Sequence, residues 1–88
     1  MPNKVKEPKE VGEVTHFYSH LGVAIVKCKV PISTGDMLWF KGATTDFKET
    51  VSSMQYDHKT IQAAKKGQEV GIKVSEKVRE GDKVYLAE

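Results

Sequence analysis

Three histidines and one cysteine, His16, His20, His58 and Cys28, are the side chains here that could ligate a metal or support nucleophilic chemistry. On a helix, the spacing of His16 and His20 would stack both rings on one face. The surrounding "VGEVTHFY" (11–18) is instead rich in valine and aromatics and reads as a strand. There His16 is in phase with Val14, and His20 falls beyond the break that follows. Cys28 shares the phase of Ala24 and Val26, which directs it inward as a small hydrophobe. Buried thiols have raised pKa values and little thiolate, so Cys28 makes a poor nucleophile. His58, in "YDHK", reads as a solvated loop residue. No paired carboxylates and no Ser-His-Asp set suggest themselves, and "TTD" (44–46) reads as a turn entering a strand. The expectation is a protein that is not an enzyme and holds no metal and no cofactor.

Lysines interleaved with aromatics offer a different chemistry. Lys27, Lys29, Trp39, Lys41 and Tyr85 are expected on the exterior, with Lys59, Lys65 and Lys66 in a neighbouring loop. Single-stranded RNA is bound by this combination, because lysines follow phosphates and flat rings stack on unpaired bases. Glu49, Asp57, Glu69, Glu76 and Glu80 dilute that field, and an N-terminal segment lying over Trp39 would remove it from solvent. The same patch also suits a protein partner, since tryptophan and tyrosine dominate the centres of protein interfaces. Salt separates the two readings: RNA binding weakens steeply as salt rises, and apolar docking does not.

The elements that must carry these residues are short strands. "VGEVTHFY" and "LGVAIVKCKV" (21–30) form a hairpin that ends at Pro31, which has no N–H to donate. "STGD" (33–36) is a turn with Gly35 at positive φ, and it launches "MLWFK" with Leu38 and Phe40 on one face. The spacing recurs in "VREGDKVYL" (78–86), where Val84 and Leu86 face in and Tyr85 faces out. Both Gly-Asp pairs are therefore architectural. "TDFKETVSSMQY" (45–56) reads as a longer strand whose alternation slips at a bulge near Ser52-Ser53. A helical turn fits only "TIQAAKKGQ" (60–68), and "EVGIKVS" (69–75) is a further strand.

In order along the chain, Gly12-Val14, Gly35-Asp36, Ala64-Gly67-Val70-Gly71-Ile72 and Gly81-Asp82 resemble the second, β-barrel domain of translational GTPases such as elongation factor Tu. "KGATTDF", "MQYDHK" and "VGIKVSEKVREGDKVY" also resemble stand-alone translation-elongation-factor-like proteins and the C-terminal barrel of collagenase-like peptidases. The resemblance spans roughly residues 11–87. It implies a small closed six-stranded all-β barrel of the translation-factor type. Its interior would hold Val14, Ala24, Val26, Leu38, Phe40, Val51, Val70, Ile72, Val84 and Leu86. It further implies a non-catalytic module that binds RNA, tRNA or rRNA, in translation or RNA metabolism. The alternative is a module docking a partner enzyme, such as a collagenase-like peptidase body, or a second copy of itself. No Gly-x-x-x-x-Gly-Lys-Ser/Thr loop is present, so no GTP binding is expected.

Composition sets the outer limits. At 88 residues this is one domain, expected over residues 10–88 behind a flexible tail at 1–9. Its longest apolar run, "GVAIV" (22–26), cannot span a bilayer, and the first ten residues lack the apolar core of a secretory signal. One cysteine precludes an internal disulfide and favours a reducing, cytoplasmic location. A net charge of +2 decides nothing about nucleic acid.

Overall fold

A computed structural model describes residues 9–87. Ten strands run in order: β1 (Lys9–Tyr18), β2 (Val23–Cys28), β3 (Ile32–Ser33), β4 (Met37–Lys41), β5 (Asp46–Thr50), β6 (Met54–Tyr56), β7 (Lys59–Ile61), β8 (Ala63–Ala64), β9 (Glu69–Lys73) and β10 (Lys83–Ala87). The all-β expectation holds, but the sheet is not a closed six-stranded barrel. Eight strands form one open sheet in the order β5-β4-β10-β1-β2-β9-β6-β7, and β3 and β8 pair separately. Inward side chains from both sheets nonetheless share a single core, in which Phe40, Leu38, Ile32, Met54 and Ile72 are the largest fully buried members. Among the predicted interior residues only Leu86 stays partly exposed.

Two local readings change with the larger strand count. The presumed long strand at 45–56 is two strands, parted at residues 51–53. β5 pairs β4 at one end of the sheet, and β6 pairs β9 towards the other. The slipped alternation thus marks a change of neighbours, not a bulge. Residues 60–68 form no helix: β7 and β8 occupy them, followed by a turn. β1 begins at Lys9, inside the expected tail; residues 1–8 of that tail lie outside the described residues.

Bulges occur in β1 instead. Its registers shift at Val11 against β10 and at Thr15 against β2. The second shift inserts one residue and reverses the phase, so His16 is exposed and Phe17 packs on the core. Gly12 pairs with Cys28 across β1 and β2, with no room for a side chain. A Cβ there would lie 2.7 Å from Val26 Cγ1 and 2.9 Å from the Lys27 carbonyl oxygen.

The turn is written three times, not twice: with Gly-Asp in two copies and Gly-Gln in the third. "ISTGD" (32–36), "AKKGQ" (64–68) and "VREGD" (78–82) share one geometry. In each, the second residue's carbonyl accepts the fifth residue's N–H at 3.1 Å. Each glycine has φ near that of the third position of a type II turn, at 94°, 89° and 92°. A side-chain oxygen of the fifth residue then accepts the second residue's N–H: Asp36 from Ser33 at 2.9 Å, Gln68 from Lys65 at 2.8 Å and Asp82 from Arg79 at 2.9 Å. Each turn is also clasped to a buried residue elsewhere. Gly35 N–H donates to the Val51 carbonyl, and Val51 N–H returns to Asp36, both at 2.8 Å. Cys28 clasps Gly67-Gln68 in the same way, and Val14 clasps Gly81-Asp82. The first residue of every copy, Ile32, Ala64 or Val78, is buried. Each turn launches a principal strand, respectively β4, β9 and β10.

Candidate functional site

β4 alternates Leu38 and Phe40 into the core, leaving Met37, Trp39 and Lys41 on the outer face. Strand pairing surrounds Trp39. Tyr85 lies opposite it on β10, and Lys48 lies opposite on β5. The Trp39 and Tyr85 rings are 5.9 Å apart and tilted by 53°. Two ammonium groups approach the indole: Lys41 Nζ is 4.7 Å from its centroid, and Lys48 Nζ is 5.6 Å away. Trp39 Nε1 donates to Asp46 Oδ1 at 2.7 Å, which fixes the ring on the sheet. Trp39 is half-buried, and Met37 beside it is 40% exposed. Among the described residues, neither Lys41 nor Lys48 has a carboxylate oxygen within 4.0 Å.

The other predicted site residues do not extend this patch as a basic track. Cross-strand neighbours run Asp46, Lys41, Lys83, Glu13, Lys27, Glu69 across the outer face, so acids interrupt the lysines. Lys29 donates to Glu10, which also has Lys83 within 3.8 Å. The hydrogen bond from Lys29 holds the Glu10 carboxyl below its usual range, aided by the charges of Lys29 and Lys83. The same bond pushes the Lys29 ammonium up. Lys59 is on β7, at the opposite end of the sheet from β5. Lys65 and Lys66 form the turn clasped by Cys28. Trp39, Tyr85 and Lys41 are thus brought together, while Lys27, Lys29, Lys59, Lys65 and Lys66 are dispersed.

Lys48 and Asp46 were missed as members of the patch. Pairing "MLWFK" with "DFKET" through the short loop at 42–45 would have found both, because that register sets Lys48 against Trp39. Glu10 and Glu13 needed the long-range β1–β10 pairing, which no local pattern contains.

The candidate ligating residues lie on separate elements. His16 is on the exposed face of β1, and its Nδ1 is 2.9 Å from Glu80 Oε2. His20 is in the β1–β2 turn, and Asp57 and His58 form the two-residue β6–β7 hairpin at φ 54° and 65°. Cys28 is 1% exposed, and burial pushes its thiol pKa up. Among the described residues no three His, Cys, Asp or Glu side chains are grouped so as to hold a metal ion. No helix among them is long and apolar enough to cross a membrane.

The fold matches that of a solved C-terminal domain. The C-terminal domain of a candidate U32 peptidase from Geobacillus thermoleovorans superposes with a TM-score of 0.85 over 97% of this chain and 100% of that domain, at 19% identity. Its selenomethionine variant gives 0.83 over 88% of this chain and 98% of that domain, at 20% identity. In sequence, the chain is 44% identical over 78 residues to an uncharacterized protease of Methanocaldococcus jannaschii, a match covering 88% of this chain. It is 33% identical over 84 residues to a collagenase of Porphyromonas gingivalis, covering 93% of this chain. It spans only 19% and 23% of these two relatives. No protein-family model matches the chain. Of the likenesses read from the sequence, these relatives carry the one to collagenase-like peptidases.

Proposed function

We propose that this chain is a non-catalytic accessory domain of the collagenase-like peptidase type, which docks the catalytic body of such an enzyme through the outer face around Trp39. The observation that carries the reading is the 44% identity to a fifth-length segment of a much larger protease. A segment of that size, with the fold of a separable C-terminal domain, is suited to binding and positioning. The buried Cys28 thiol and the scattered histidines favour a non-catalytic role. The patch has the anatomy of an interface centre, with an indole and a phenol on a rigid sheet, an exposed methionine and uncompensated lysines at the rim. Protein is favoured over RNA because Glu10 and Glu13 break the lysine track that a phosphate backbone would follow.

The test is a titration followed by the emission of Trp39, the single tryptophan. One arm adds the M. jannaschii protease lacking its matching segment, and the other adds single-stranded RNA, each at low and moderate salt. The proposal expects a saturable change with the protease that survives salt and is lost with a separately labelled Trp39→Ala chain. A change produced only by RNA, collapsing as salt rises, would overturn it.

A further inference from the structure

A second surface lies away from Trp39. The Trp39–Tyr85 row meets β1 at Glu10, and Phe17 is seven residues further along that strand, on the order of 20 Å away. There the end of β1 and the loop before β10 border a shallow, open cleft of about 540 Å³, lined by Phe17, Ser19, Lys77, Val78, Arg79 and Glu80. We infer that this cleft is a binding site for a carboxylate carrying an apolar group, the chemistry of a peptide C-terminus with a hydrophobic last residue. The inference does not depend on the docking role of Trp39.

The lining is chemically divided. Phe17 and Val78 belong to the core or pack against it, which supplies an apolar floor. Lys77 and Arg79 are both exposed, and among the described residues neither has a carboxylate within 4.0 Å. Glu80 is the only acid in the lining, and it is engaged by His16 Nδ1 at 2.9 Å. Two cations therefore line the space against a single acid, which His16 holds to one side of it. Ser19 adds a hydroxyl donor. A guanidinium, an ammonium and a hydroxyl beside an apolar floor match a carboxylate with a hydrophobic substituent.

The backbone around the cleft is anchored by the rest of the fold. Glu49 Oε1 accepts both the N–H and the hydroxyl of Ser75 at 2.9 Å, anchoring the loop to β5. Val78 is 2% exposed, and the turn at 79–82 is clasped by Val14. A preformed site loses less on binding than a loop that must first be ordered.

The experiment is ¹H–¹⁵N correlation NMR of the intact chain, titrated separately with N-acetyl-Gly-Leu-Phe, its C-terminal amide, 3-phenylpropanoate and inorganic phosphate. The free acid is expected to shift the amides of Phe17, Ser19, Val78 and Arg79 and to leave those of Trp39 and Tyr85 in place. Its amide should bind at least about tenfold more weakly, as should the free acid to the Lys77→Gln, Arg79→Gln double variant. Spectral dispersion reports whether that variant is folded, and Lys77→Arg should retain binding. A response to phenylpropanoate equal to that for the peptide identifies a free acid as the source of the carboxylate; a stronger peptide response identifies a chain terminus. The inference is overturned if acid and amide shift the cleft equally, if phosphate alone reproduces the effect, or if millimolar peptide shifts nothing there. None of these results bears on Trp39, which the protease titration tests separately.

Discussion

Replacing the three turn glycines with alanine isolates one physical cost. At Gly35, Gly67 and Gly81 a new Cβ would meet no atom within 4 Å, so sterics with the rest of the protein contribute nothing. What remains is the positive φ, at 94°, 89° and 92°, which an L-residue enters at a cost of about 1–2 kcal/mol. Loss of glycine's larger unfolded-state entropy offsets part of this, leaving about 0.5–1.5 kcal/mol. For a domain of this size that moves Tm by about 4–8 °C per kcal/mol. Because the clasps to Val51, Cys28 and Val14 are alike, the three variants should agree within about 0.5 kcal/mol and add when combined. Asparagine, which tolerates this position of a type II turn, should cost less than alanine at each. Urea unfolding followed by Trp39 emission gives all of these values. One variant costing several times another, or a sub-additive triple, would refute the equivalence of the turns.

Gly42 should behave differently, because a Cβ there would lie 1.9 Å from Asp82 Oδ1 and 2.6 Å from its Cγ. Asp82 is only 5% exposed and caps Arg79, so Gly42→Ala is expected to cost about 2–4 kcal/mol in urea unfolding. His58→Gly should instead stabilise by about 0.5–1 kcal/mol, since His58 has φ 65° in a two-residue hairpin that favours glycine there; a lower urea midpoint would refute this. Cys28 should resist a disulfide reagent at mild alkalinity in the folded protein and react promptly in denaturant. Its folded pKa lies above the ordinary value of 9.0, so its contribution to stability is full below pH 9 and is lost as pH rises past it. Cys28→Ala should flatten that alkaline slope in unfolding measured across pH.

Local chemistry was legible wherever it depended on neighbours in sequence. Gly-Asp turns, the alternation of Leu38 and Phe40, and the inward phase of Cys28 all follow from periodicity and turn preference. The third turn escaped notice because Gln68 stands where the others have aspartate, although its amide oxygen accepts the same N–H. Openness of the sheet was not legible, because it depends on which strands become neighbours after folding. The slipped phase at 51–53 was visible, but a bulge and a change of partner produce the same pattern. For the same reason the bulge at Thr15 hid the outward turn of His16. The patch was half-seen: Trp39, Lys41 and Tyr85 could be placed by alternation, whereas the acids beside them arrive on β1 from the other end of the chain.

An open sheet has two ends, and each invites a ninth strand. β5 carries Asp46, Lys48 and Glu49 along five residues, with a lysine at its centre, and β7 offers three residues only. If two copies aligned β5 antiparallel about that centre, Lys48 would face Lys48, and like charges directly opposed are destabilising. Charge at one margin and brevity at the other discourage edge-to-edge growth. A domain guarded in this way can be carried on the outside of a larger protein without drawing its copies into fibres.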